Sequence, residues 1–109
     1  MAIVLLYVPF PSLVAAKKCS KELLSLGLIA CANIFRTTSA YSWKGRAISG
    51  VEFVCVMKTS MQKAKAAEIE ILKMHPYELP AIIKINAGAN KGFEEWVCTQ
   101  EKQLYSKGV

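Results

Sequence analysis

The chain has 109 residues, 53% of them hydrophobic and 20% charged, with a formal net charge of +6. That length fits a single domain spanning 1–109, and no apolar run is long enough to span a bilayer. The basic residues are scattered, apart from Lys17/Lys18/Lys21 and Lys63/Lys65; they read as solvated helix faces, which excludes a concentrated nucleic-acid footprint.

Ile3 to Val8 is a continuous apolar run closed by Pro9, the pattern of a strand buried on both faces. Ser12 is placed to cap a helix in which Leu13, Ala16, Ser20, Leu23 and Leu24 recur at helical spacing, with Gly27 as its stop. Leu28 to Trp43, rich in Ile, Phe, Thr, Tyr and Trp, predicts a long strand, and Lys44-Gly45 a hairpin turn. Arg46 to Gly50 is a weaker stretch, and Val51 to Lys58 a second strand with apolar residues on both faces. Thr59-Ser60 offers an N-cap for a helix whose Ala64, Ala67, Ile71 and Met74 share one face. His75-Pro76 stops that helix, because the residue before proline is pushed out of the α region. Leu79 to Ile85 predicts a fourth strand, and Phe93 to about Tyr105 a final helix.

The order is β-α-β-β-α-β with a trailing helix, which defines an α+β, ferredoxin-like arrangement with an antiparallel sheet. Its two main helices cover one sheet face. An antiparallel face in water alternates apolar with polar residues, yet 3–8 and 51–58 are apolar on both sides. Each buried aliphatic side chain contributes roughly 1.5–3 kcal/mol, so a wet second face forfeits several such terms. One trailing helix is too narrow to cover it. The expectation is a homo-oligomer in which other copies do so.

Cys19, Cys31, Cys55 and Cys98 form no C-x-x-C pair, and the N-terminal stretch carries no basic leader. This pattern reads as reduced thiols in a cytoplasmic protein rather than a secreted disulfide framework.

Several segments, in order, are similar to one family. Ala30-Cys31-Ala32-Asn33-Ile34, Ser39-Ala40-Tyr41-Ser42-Trp43-Lys44-Gly45, Glu52, Lys58-Thr59, His75-Pro76-Tyr77-Glu78-Leu79-Pro80 and Trp96 together resemble the CutA divalent-ion tolerance proteins over nearly the whole chain. The resemblance implies a ferredoxin-like subunit in a compact homotrimer whose long hairpin strands pair between copies. It also implies a part in tolerance to divalent cations, copper above all, with direct metal binding at subunit interfaces as one form of it. The alternative is a scaffold akin to the PII signalling proteins, sensing a small ligand or adapting a protein partner without physiological metal binding. Ala81 departs from the pattern, since the family usually carries glutamate there. The stretch Ala47-Ile48-Ser49-Gly50-Val51 is likewise less acidic than the family norm.

His75, the only histidine, is the candidate metal ligand, because imidazole suits copper and zinc. It can instead cap a helix end by bonding carbonyls. Cys31 reads as a small buried hydrophobe, with a thiolate ligand for Cu(I) as the sharper alternative. Tyr41 and Trp43, near a hairpin tip, suit a subunit interface. Glu52, Lys58, Tyr77 and Glu78 are candidates to frame a polar cleft at the strand ends, though Lys58 and Glu52 also suit an ordinary cross-strand charge pair. Trp96 completes the candidate interface set. The chain has no Gly-rich phosphate loop, nucleophile elbow or paired-carboxylate motif, so no enzyme is expected and no cofactor is required. Partners beyond other copies of the chain reduce to a small ligand or a protein, with neither nucleic acid nor membrane among them.

Overall fold

The computed structural model describes residues 2–100. The elements run β1 (Ile3–Phe10), α1 (Leu13–Ser25), β2 (Cys31–Trp43), β3 (Arg46–Ser60), α2 (Ala64–Met74), β4 (Ile83–Ala87) and α3 (Lys91–Cys98). The sheet order is β2-β3-β1-β4, antiparallel throughout. This is the arrangement expected of the β-α-β-β-α-β order.

The local signals act as their chemistry dictates. Ser12 is extended, and its hydroxyl accepts the Ala15 N–H at 3.1 Å, capping α1. Gly27 follows α1 at φ 69°, a conformation that costs glycine nothing. Lys44 and Gly45 both have positive φ, 50° and 77°, as a two-residue hairpin turn with the right strand twist demands. His75 ends α2 in extended conformation, as the proline after it requires.

Several boundaries differ from the sequence expectation. β1 is not closed at Pro9 but runs to Phe10, because pairing with β3 continues through Pro9↔Val54 to Phe10↔Phe53, beyond the last residue paired with β4. β2 begins at Cys31, not Leu28; Leu28 to Ala30 form the approach, where the Leu28 carbonyl accepts the Thr59 hydroxyl at 2.7 Å. Thr59 and Ser60 close β3 rather than capping α2 through a side chain, and the N-cap position is Lys63. The weak stretch from Arg46 is regular strand, held by pairing from Trp43↔Arg46 through Thr38↔Val51. β4 starts at Ile83, where pairing with Tyr7 of β1 begins, and runs to Ala87 opposite Ile3, rather than spanning Leu79 to Ile85. The last helix ends at Cys98, and the remainder of its expected span, to Tyr105, lies outside the described residues.

Register and strand alternation divide the sheet into two faces. Val4, Leu6, Val8 and Phe10 of β1 point with Cys55 and Met57 of β3 into the main core, against Ala16, Cys19 and Leu23 of α1 and Ala64, Ala67 and Ile71 of α2. The other face carries Ile3, Leu5 and Tyr7, together with Val54, Val56, Phe35, Ile83 and Ile85. Among the described residues α3 is the helix on that face, and it covers one end, where Val97 closes over Ile3 and Ala30. The rest is open: Phe35 is 52% exposed, Ile83 50%, Ile85 45% and Tyr7 37%.

The hairpin outruns the sheet. β1 stops pairing at Phe10↔Phe53, whereas β2 and β3 stay paired to the turn at Trp43↔Arg46. Residues 37–52 therefore form a two-stranded ribbon, and it stretches the subunit to 44 × 28 × 24 Å.

Candidate functional site

The candidate residues fall into three places. The first is the junction where β1 ends and the ribbon begins. There the segment after α2, residues 75–82, crosses beside β3. The His75 ring stacks on Phe10, with centroids 4.4 Å apart and planes within 17°, and Tyr77 lies against its other side at 5.0 Å. His75 Nε2 bonds the Pro9 carbonyl at 2.7 Å, and Nδ1 accepts the Tyr77 N–H at 3.1 Å. These partners fix the neutral tautomer with the proton on Nε2, since a carbonyl only accepts and an amide N–H only donates. Burial holds the imidazole below its ordinary titration range; the Pro9 carbonyl and the Glu52 charge pull the other way and do not overcome it.

The Tyr77 hydroxyl donates to Glu52 Oε2 at 2.7 Å. Burial pushes the phenol up, and the hydrogen bond to Glu52 adds to it, so Tyr77 stays protonated and serves as the donor. Glu78, one residue on, lies 3.9 Å from Lys44 at the turn, both side chains well exposed. The structure thus brings His75, Glu52, Tyr77 and Glu78 to one side of the hairpin.

Lys58 is not among them. It shares β3 with Glu52, six residues away, roughly 20 Å by strand rise, so the two form neither a cross-strand pair nor one cleft. Lys58 instead bonds the Asn33 side chain and stands opposite Cys31 in register. That is the second place, at the α3 end of the open face. Cys31 is half-buried there as a free thiol, and Trp96 of α3 is exposed nearby in sequence to Val97, tilted against Phe93 at 5.6 Å. The third place is the ribbon tip. Tyr41 is exposed, and Trp43 is half-buried with the Lys44 ammonium 5.6 Å from its ring centre.

His75 does bond a carbonyl, but one from β1 rather than from the helix it ends. Pro9, Phe10 and Asn33 were not among the site residues expected from the sequence. Their partners lie 66, 65 and 25 residues away, and only the strand order brings them together. Ala81 is exposed. Among the described residues, no three His, Cys, Asp or Glu side chains converge as a metal site. A cation on His75 Nδ1 would displace the Tyr77 amide.

Taken together, the fold and its site define a class: a small ferredoxin-like subunit with one sheet face left open, a protruding ribbon, and a polar node where the two meet. A family model described as CutA1 divalent ion tolerance protein matches residues 4–100. The chain belongs to that family. It is 34% identical over 98 residues to the divalent-cation tolerance protein CutA of Thermococcus kodakarensis, covering 89% of this chain and 94% of that one. The crystal structure of the divalent ion tolerance protein CutA1 from Ehrlichia chaffeensis superposes with a TM-score of 0.83 at 40% identity, over 87% of this chain and 91% of the other. The periplasmic divalent cation tolerance protein CutA from Archaeoglobus fulgidus gives a TM-score of 0.84 at 34% identity, over 89% and 95% of the two chains.

Proposed function

We propose that the chain works as a homotrimer in divalent-cation tolerance, without enzymatic turnover. The supporting observation is the open sheet face. Tyr7, Phe35, Ile83 and Ile85 lie on one surface of a subunit whose two longer helices, α1 and α2, are committed to the other, while α3 covers one end of it. The ribbon adds to it: both its edges carry unpaired backbone groups, a liability unless other strands pair with them. Copies that pack open face to open face and pair their ribbons resolve both problems. The number three follows the family resemblance. Sedimentation velocity tests it: the supporting result is a species of three 12.0 kDa chains, and a stable lone subunit at micromolar concentration removes the reading.

Copper is the cation to test first, bound directly by groups from more than one copy, since a single subunit gathers no cluster among its described residues. Calorimetric titration of the trimer with Cu(II) supports this with a saturable heat at one ion per trimer or one per chain. No heat from an intact trimer favours the second reading, a scaffold that senses a small ligand between subunits. The observation on that side is His75, whose two ring nitrogens are both engaged within the chain. A thermal-shift screen of nucleotides and small carboxylic acids tests it.

The reading carries a reducing compartment, the cytoplasm, supported by four free cysteines. Among the described residues no helix is long and apolar enough to cross a membrane. Because the Archaeoglobus relative is described as periplasmic, cell fractionation is the direct test.

A further inference from the structure

We propose that the outer face of α1 around Val14, Lys17 and Lys18 is a docking surface for an acidic helical segment of a protein partner. The face lies on the helix-covered side of the sheet, away from the open face, so it does not depend on the proposed assembly.

The buried residues of α1 are Ala16, Cys19, Ser20 and Leu23. Val14, Lys17, Lys18 and Lys21 recur on the opposite side at i, i+3, i+4 and i+7, and all four are exposed. Val14 is 76% exposed, a bare apolar side chain with cations one turn on.

Charge pairing sets this face apart from the rest of the subunit. Lys44, Lys65, Lys73, Lys84 and Lys91 each meet a glutamate. Lys58 bonds the Asn33 side chain, and Lys63 bonds two backbone carbonyls. Lys21 is engaged as well. Among the described residues, Lys17 and Lys18 are the lysines left without a partner. Glu22 stands one turn beyond Lys18, but lysine N-terminal to glutamate is the poorer order for a helical pair. The exposed side of α2 differs, because Glu68 and Glu70 neutralise its Lys65 and Lys73.

The occupant follows from that pattern. Residues three and four apart on a helix stand about 5–6 Å from one another. Carboxylates at the same spacing on a second helix therefore meet both ammonium groups while one apolar side chain covers Val14. Exposed charges of this kind orient a partner and speed its arrival more than they hold it, so the docking is weak and salt-sensitive. A phosphate backbone suits the surface less, since lysine lacks the planar fork of arginine and Val14 would have no role. A lipid surface suits it less again: anchoring in the interface takes a broad apolar face, and α1 turns its own into the core.

The test uses the full chain and a labelled, alanine-rich helical peptide with glutamates at i, i+3, i+4 and i+7 and leucines beside them. The control peptide has the same composition with the glutamates spread around the helix. Fluorescence anisotropy is expected to give the patterned peptide about tenfold the affinity of the control, falling as salt is raised. Lys17→Gln with Lys18→Gln is expected to lower that affinity about tenfold, the scale of two lost charge contacts, and Val14→Ser to weaken it further. Lys65→Gln with Lys73→Gln removes the same charge from α2 and leaves binding unchanged. Glutamine keeps helix propensity, and circular dichroism checks that each variant is folded. Equal binding of the two peptides overturns the proposal, as does an equal loss in the two double variants. Duplex DNA and phosphatidylserine vesicles are titrated alongside; tighter binding of either, lost in Lys17→Gln with Lys18→Gln, overturns the assignment to a protein partner.

Discussion

Replacing Phe35 with lysine strikes the open sheet face on its edge strand β2. Phe35 lies on β2 opposite Val54 and is 52% exposed in the subunit. About half of a phenylalanine side chain is roughly 100 Å². Covering that area in the proposed trimer would be worth about 2.5 kcal/mol per subunit at 25 cal/mol/Å². In such a trimer three subunits lose it together, about 7 kcal/mol, or about five powers of ten in the three-body association constant. Lysine then adds the cost of a charge with no partner beneath a neighbouring copy. Phe35→Lys is therefore expected to sediment as a monomer at concentrations where the native chain is assembled, with Phe35→Ala between the two. Val14→Lys is the control, because Val14 is 76% exposed on α1, away from that face. Far-ultraviolet circular dichroism separates dissociation from unfolding. A folded Phe35→Lys that assembles like the native chain refutes the assignment of this face to the interface.

Three further outcomes follow from local chemistry. Lys44 holds φ 50° at the hairpin turn, a strained conformation for a long side chain, so Lys44→Asn is expected to raise stability by about 0.5–1 kcal/mol in urea melts at fixed protein concentration; its exposed pair with Glu78 is a small loss. Lys63 sits at the N-cap of α2, where a positive charge is unfavourable, and its ammonium reaches away to the Gly27 carbonyl at 2.8 Å and to the Gln100 carbonyl; Lys63→Met leaves both acceptors short and is expected to cost about 1 kcal/mol after the helix-dipole term is recovered, read as a lower urea midpoint. Cys19 is pushed up to about 12, first by burial and then by Cys55. Its folded pKa lies above its unfolded one, so its stabilisation is full below about pH 9 and fades as pH rises toward 12. Thermal melts of Cys19→Ala are expected to show a flatter alkaline decline than the native chain, and an identical slope refutes that assignment.

The sequence made the element order plain because each helix and turn carried its own local signal: the Ser12 cap, the Gly27 stop, the Lys44-Gly45 turn, the spacing of Ala64, Ala67 and Ile71. What it hid was decided by partners far along the chain. Arg46 to Gly50 has no strand pattern of its own and is strand because β2 lies beside it. Thr59 looks like a cap and acts as a hydrogen-bond donor to the Leu28 carbonyl. Glu52 and Lys58 look like a pair on paper, yet one strand carries both and keeps them apart. The uncovered face was legible as a surplus of apolar residues on 3–8 and 51–58, since alternation tells which residues share a side even before the strand order is known. The node at His75 was legible only as a histidine before a proline. Its partners Pro9, Phe10 and Glu52 come from strands that the topology alone makes adjacent.

β3 links these features in one piece of backbone. Its end at Cys55 and Met57 is locked in the helix-covered core, its middle at Glu52 and Phe53 meets the His75–Tyr77 node, and its start from Arg46 is one edge of the ribbon. A strand is stiff along its length, so a change at Glu52 is felt on both sides of it. Toward the core it meets close packing that resists displacement. Toward the ribbon it meets only β2, and any neighbouring copies. The softer response lies on the ribbon side, so a change at the node shifts the ribbon before it reaches the core of the subunit.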